Sequence, residues 1–401
     1  MPVRAVDLVT RPPLLRWLAP LYLLANAAVV AVYLATLTGP TDRDGKVVVG
    51  DFAAFWTGAE LLADGRGPEL YDEGAQRAAQ AEILGRPLDE RWQPYLNPPG
   101  LALGLSALQP LGLIPAFYTW DLVGLVALAV GFAAVRPTLP RTLPTRADAA
   151  TAAAVILAFP AILRPLAGGQ NTAVTLGLAS AAYGWLARGW DVPAGVAVGL
   201  TSYKPQYGLP LGVALLLWRR WRAAGAAAAV AAAHYGLAAW WCGAAWPARY
   251  LAALRVNEAQ DRIWNGPWHF SWPAVVTHLA PAVAPALAPL GVAVVLGLTA
   301  RRIVAEPPGS ERFPLAFAAA LTAAMLASSH LWYYEVGLLV LPALLWLESR
   351  PAPPGLGVRA AFVVAFFGTG VYELGPVIGV QPLFFVLAGI YALTWGRIRA
   401  R

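Results

Sequence analysis

The residue with the most direct chemical use in this 401-residue chain is Asp51. It lies in Gly50-Asp51-Phe52-Ala53-Ala54-Phe55-Trp56, a carboxylate set among aromatic rings just past the first long apolar segment. At the depth where a bilayer meets water, a carboxylate stays ionised yet close to a lipid-borne substrate, which suits a general base. The alternative role is local. Asp is a good N-cap, and the apolar run at 52–62 with Glu60 reads as a helix.

Four other polar groups interrupt apolar sequence: Arg164 with Gln170-Asn171, Lys204-Pro205-Gln206, the run from Asn257 to Trp272 with Asp261, Arg262 and His269, and His330 beside Ser328, Ser329, Trp332, Tyr333 and Tyr334. Polar residues at membrane depth are costly, so each needs a partner or a task. Lys204, between two apolar half-segments broken by Pro205, suits a phosphate or is a lysine whose stem snorkels along a helix end. Gln170-Asn171 follow Gly168-Gly169 where free backbone N–H groups favour an anion or a sugar hydroxyl, unless Asn171 is an N-cap. His330 can donate to a phosphate or move a proton, though a lone histidine is commonly structural. Rings stack on sugar faces and also populate any interfacial belt. Arg262 and His269 are weaker candidates, since external loops carry charge for solubility alone.

The elements that must position these residues lie in a membrane. Hydrophobic residues make up 58% of the chain and charged ones 13%, with a mean hydropathy of +0.56, more than a water-soluble core of this size needs. The net charge of +7 comes from arginines clustered beside apolar runs, which reads as topology signal and anionic-lipid contact rather than nucleic-acid binding. Cys242 is the only cysteine, so no internal disulfide forms. Arg4, Arg11 and Arg16 precede an apolar run too long for a signal peptide, which reads as a retained first span. A P-loop, a Rossmann glycine fingerprint, His-Glu-x-x-His, a cysteine pair and an Asp-x-Asp pattern in a cytosolic domain are all missing. ATP-driven transport, nicotinamide chemistry, zinc proteolysis and a soluble nucleotide-sugar donor therefore lack support.

The expected architecture is an all-α polytopic bundle of about 12 membrane helices in a single domain, with both termini cytoplasmic. A first span at 14–38 leads to an extracytoplasmic segment, 39–96, holding short helices near 52–63 and 72–84 separated by Asp64-Gly65-Arg66-Gly67-Pro68. Prolines 110 and 115 split the next stretch into a short re-entrant or interfacial helix at 98–110 and a span at 115–135. Further spans are expected at 149–166, 171–187, within 192–221 as two runs flanking Lys204, and at 224–243. A second extracytoplasmic loop covers 244–273, and the last spans fall at 274–299, 314–328, 332–348, 359–374 and 379–396. This order puts the five polar groups on one side.

Taken in order, Asp51-Phe52 after the first span, Gly65 to Tyr71, Asn97-Pro98-Pro99, Gly169-Gln170-Asn171, Lys204-Pro205-Gln206 ahead of a Trp-Arg-Arg-Trp-Arg end, and Ser329-His330 resemble glycosyltransferase family 87 of the GT-C superfamily. That group includes polyprenyl-phosphate-mannose-dependent alpha-mannosyltransferases. The resemblance covers nearly the whole chain. It implies a GT-C-like bundle in a bacterial cytoplasmic membrane that moves a hexose, mannose among the candidates, from a polyprenyl-phosphate donor to a lipid-linked or glycan acceptor on the outer face. The family's catalytic aspartate corresponds to Asp51 and its late histidine to His330. On charge grounds Lys204, Arg164 and Arg262 would hold the donor phosphate, while Gln170, Asn171, Gln206, Trp332 and His269 would contact substrate. No cofactor and no metal are expected. One carboxylate and a basic cluster are enough for inverting transfer, because a phosphate leaving group needs cations rather than a paired acid. The competing expectations are a transporter or flippase of a lipid-linked sugar, and a structural scaffold that performs no chemistry.

Overall fold

The computed structural model describes residues 13–37, 39–41, 47–88, 92–350, 355, 357–359, 362, 366, 372 and 374–396, without the side chains of 13–20, 23, 34, 262–264 and 378. In chain order the α-helices are α1 (Pro13–Ala35), α2 (Phe52–Ala63), α3 (Glu73–Leu84), α4 (Pro99–Ser106), α5 (Leu113–Val135), α6 (Arg146–Leu157), α7 (Pro160–Ala167), α8 (Thr172–Ala187) and α9 (Asp191–Leu200). They continue as α10 (Pro205–Leu217), α11 (Trp221–Cys242), α12 (Trp246–Asn265), α13 (Trp272–Leu279), α14 (Ala284–Ala305), α15 (Phe313–Ala327), α16 (Val340–Glu348), α17 (Gly375–Ile378) and α18 (Leu383–Thr394). Among the described residues the only β-type pairing is an isolated bridge between Thr41 and Val47.

Three described helical stretches are long and apolar enough to cross a membrane: Leu113–Thr138, Trp221–Cys242 and Ala284–Ala305. The expected span at 149–166 is a pair, α6 and α7, bent by 56°, because Pro160 at the first turn of α7 cannot continue α6. The stretch 192–221 likewise divides at a 3₁₀ turn, Thr201–Tyr203, before Pro205. The expected count of about 12 spans thus goes beyond what helix length supports, since apolar helices of 10–17 residues reach at most about 26 Å of a ~30 Å hydrocarbon core. Most of the expected span at 359–374 lies outside the described residues.

Small residues set the helix packing. Gly124 and Gly131 on α5 face α8, and a Cβ on Gly177 of α8 would stand 2.3 Å from the Ala127 carbonyl oxygen. Gly195 and Gly199 of α9 press in the same way on Ala223 and Ala227 of α11. Without a hydrophobic drive between helices in lipid, such close backbone approach is what binds them.

Two apolar cores result. The larger is built from α5, α7, α8, α9, α10, α15, α16 and α18. The smaller gathers Val49, α2, α4, Tyr95 and the start of α5.

The segment 39–96 contains α2 and α3 close to the expected limits. Asp72 caps α3 by accepting from the Ala75 N–H, and Gly85 ends it at φ +63°. Two buried glutamines on α3 then hold the strand-like stretch 93–97. The Gln76 Oε1 accepts the Tyr95 N–H at 2.7 Å, and the Gln80 amide donates to the Gln93 carbonyl at 2.8 Å. Residues 246–265, expected within a loop, are the 20-residue helix α12.

Candidate active site

Asp51 occupies the N-cap position of α2 but its side chain makes no capping bond. The capping role proposed for it is therefore not the one it has, and its carboxylate lies on the wall of a cavity of about 1170 Å³ between the two cores. Two glycines bring it there. Gly50 adopts φ +52° and Gly169 φ +68°; a Cβ on Gly50 would stand 2.6 Å from the Gly168 carbonyl oxygen, and one on Gly169 would stand 2.5 Å from the Phe52 Cβ. The entry to α2 and the turn before α8 thus touch backbone to backbone. Trp120 fixes that turn by donating its indole N–H to the Gly169 carbonyl at 2.8 Å.

Every side chain predicted for the site lines this one cavity except Arg262, whose side chain lies outside the described residues: Asp51, Arg164, Gln170, Asn171, Lys204, Gln206, His269, His330 and Trp332. Burial pushes the Asp51 carboxyl up to about 6, against the opposing pull of His330, a hydrogen bond with Gln93 and the charge of Lys204. Asn171 is 1% exposed, makes no capping bond, and keeps its Oδ1 without a hydrogen-bond partner. Gln170 bonds Tyr334, which stands close enough to Asp51 to feel its charge.

The cations divide into two kinds. Lys204 is 7% exposed, and its ammonium is held by the Glu335 carboxylate, whose other oxygen accepts the Tyr207 hydroxyl at 2.5 Å. The pair is buried, with both side chains below a tenth exposed. Arg164 on α7 and Arg255 on α12 are exposed on the same cavity and have no partner among the described residues.

Asp261, on the last turns of α12, accepts from three donors. The Asn265 amide reaches Oδ1 at 2.7 Å, while His269 Nε2 and His330 Nδ1 reach Oδ2 at 2.7 and 3.1 Å. Burial opposes its ionisation, yet the bonds from the two histidines outweigh burial and hold the carboxyl well below the usual carboxylate range. His269 is 5% exposed and its Nδ1 accepts the Leu331 N–H at 3.2 Å. Both of its ring nitrogens are therefore taken, leaving only the ring edge for substrate. Ser328 holds the turn that presents His330, donating to the His330 carbonyl at 2.7 Å, and Trp332 stacks on Tyr334 with ring centroids 6.4 Å apart. The 3₁₀ stretch Tyr333–Leu339 then carries Glu335 inward.

Sequence reasoning did not single out Glu335, Gln93 or Arg255, and named Asp261 only as part of a polar run without a site role. Glu335 had a usable signal: a lysine in an apolar tract requires an acidic partner, and Glu335 is an acid between apolar runs.

Chemically, the cavity offers a carboxylate raised above the usual range by burial, guanidinium groups with no partner among the described residues, amides, a histidine and an aromatic wall. A family model described as glycosyltransferase family 87 matches residues 95–331. No curated protein and no solved structure matches the chain.

Proposed function

The chain belongs to glycosyltransferase family 87, and from that premise we propose that this membrane glycosyltransferase takes a hexosyl group from a polyprenyl-phosphate donor at the extracytoplasmic side of a bacterial cytoplasmic membrane. The acceptor is a lipid-linked or glycan hydroxyl. Asp51 removes the hydroxyl proton as the oxygen attacks the anomeric carbon; the bond from that carbon to the phosphate oxygen breaks, and polyprenyl phosphate leaves with the electron pair. A single displacement inverts the anomeric centre. The observation that carries this reading is the meeting of Asp51, free of any capping task, with Arg164 and Arg255, which have no partner among the described residues, in one cavity. Because Lys204 is engaged by Glu335, the donor phosphate is assigned to the two arginines, whose planar forks suit phosphate. Asp51 lies N-terminal to the stretch the family model matches, so its role rests on this geometry.

The reading is tested by incubating membranes with a labelled polyprenyl-phosphate sugar and analysing the products. A new glycosidic bond to an acceptor supports it; donor and acceptor recovered unchanged on opposite faces would instead identify a transporter.

Two quantitative expectations follow from the same residues. A base must be deprotonated to act, so kcat/KM should rise with pH through about 6 and level off above it; a flat profile from pH 5 to 8 would remove Asp51 as the base. Arg164→Gln should raise the donor KM by about 10- to 100-fold, the worth of a hydrogen bond to a charged group, with a smaller change in acceptor KM.

A further inference from the structure

The constellation of Asp261, His269 and His330 has no part in the scheme above, and its hydrogens can be placed from its partners. Leu331 donates its N–H to His269 Nδ1, so a neutral His269 carries its own hydrogen on Nε2, the atom that meets Asp261 Oδ2. An ionised carboxylate accepts only, and Asp261 meets the Asn265 amide, His269 Nε2 and His330 Nδ1 at hydrogen-bond distance. The His330 Nδ1 must therefore also carry a hydrogen.

We propose that Asp261 and His269 clamp His330 in a single tautomer, Nδ1–H toward Asp261, so that the lone pair on His330 Nε2 faces the cavity and receives a hydroxyl of the bound sugar or acceptor. That His330 is half exposed on the wall of the cavity that Asp51 also lines gives the free nitrogen access to the reacting groups. Asp261 and His269 are positioning residues; His330 is the one that touches substrate. Only the nature of the hydroxyl rests on the glycosyltransferase reading.

The same three side chains bring possible ligand atoms within 4.8 Å of one another, the arrangement a divalent metal would use. The hydrogen bonds argue against one. A metal-bound imidazole donates its second N–H to an acceptor, whereas the second nitrogen of His269 faces the Leu331 N–H donor.

The chain has four histidines, few enough for residue-specific spectra. Protein labelled with ¹⁵N-histidine is placed in lipid nanodiscs at about pH 9, where free imidazoles are neutral, and His330→Ala and His269→Gln assign the signals. The expected spectrum has His330 as the Nδ1–H form and His269 as the Nε2–H form, with neither moved by added Zn²⁺. Asp261→Asn should release the His330 tautomer to averaging and lower kcat by up to about 10²-fold, the cost of a misplaced group. His330 already averaging or in the Nε2–H form in the wild type would overturn the clamp, as would joint movement of both signals on adding Zn²⁺. These spectra need no turnover, so a failed transfer assay would leave the tautomer result standing.

Discussion

Membranes carrying Asp51→Asn should transfer sugar about 10²- to 10⁴-fold more slowly than wild type, the range by which general-base assistance accelerates a reaction. The substitution keeps size and polarity while removing the lone pair that accepts the proton. Since the Asp51 side chain makes no capping bond, folding has little to lose at this position, and expression and thermal midpoint should stay near wild type. Burial already costs the ionised form, so the neutral amide relieves a penalty. The residual rate should also lose the rise through about pH 6 that the wild type shows. The measurement is initial rate against pH with a labelled polyprenyl-phosphate donor, wild type and variant side by side. Retention of more than a tenth of the activity would move the base elsewhere in the cavity.

Lys204→Met should destabilise the protein by about 3–5 kcal/mol, because it leaves the Glu335 carboxylate buried without its cation. Glu335→Gln should cost a comparable amount by orphaning the ammonium. The double variant, with both charges gone, should recover most of the loss, since replacing both members of a buried pair is often close to neutral. Thermal unfolding of the four proteins in one detergent gives this cycle directly. The same four proteins separate two roles for the lysine. If it serves mainly to satisfy Glu335, the double variant keeps a donor KM near that of wild type. A donor KM that stays high in the double variant would return Lys204 to the phosphate.

The parts of the fold that were readable came from local punctuation. The breaker Asp64-Gly65-Arg66-Gly67-Pro68 and the cap at Asp72 delimit α2 and α3, and both sit where the sequence puts them. Pro115 falls in the first turn of α5, where a missing N–H costs nothing, so the span that starts there was also readable. Helix α12 was not, because its mixed charge resembles a solvated loop. The overlooked signal was spacing: Leu251, Leu254, Glu258, Asp261 and Asn265 recur every three or four residues and all line the cavity.

The five polar groups that the sequence reading expected together do line one cavity. Their pairing was not legible. Lys204 and Glu335 are 131 residues apart, and nothing in a single sequence says that this lysine is already satisfied while Arg255 is not. The clamp on His330 joins residues from α12, the turn after it and the end of α15, a coincidence only three dimensions disclose.

The glycine-to-glycine contact at Gly50 and Gly168 has a consequence for where the site can exist. Asp51, proposed above as the base, adjoins Phe52 of one apolar core, whereas Arg164 and His330 adjoin Ile162 and Leu331 of the other. The site therefore exists only where the two cores meet, and neither core by itself brings a carboxylate at position 51 opposite Arg164 and His330.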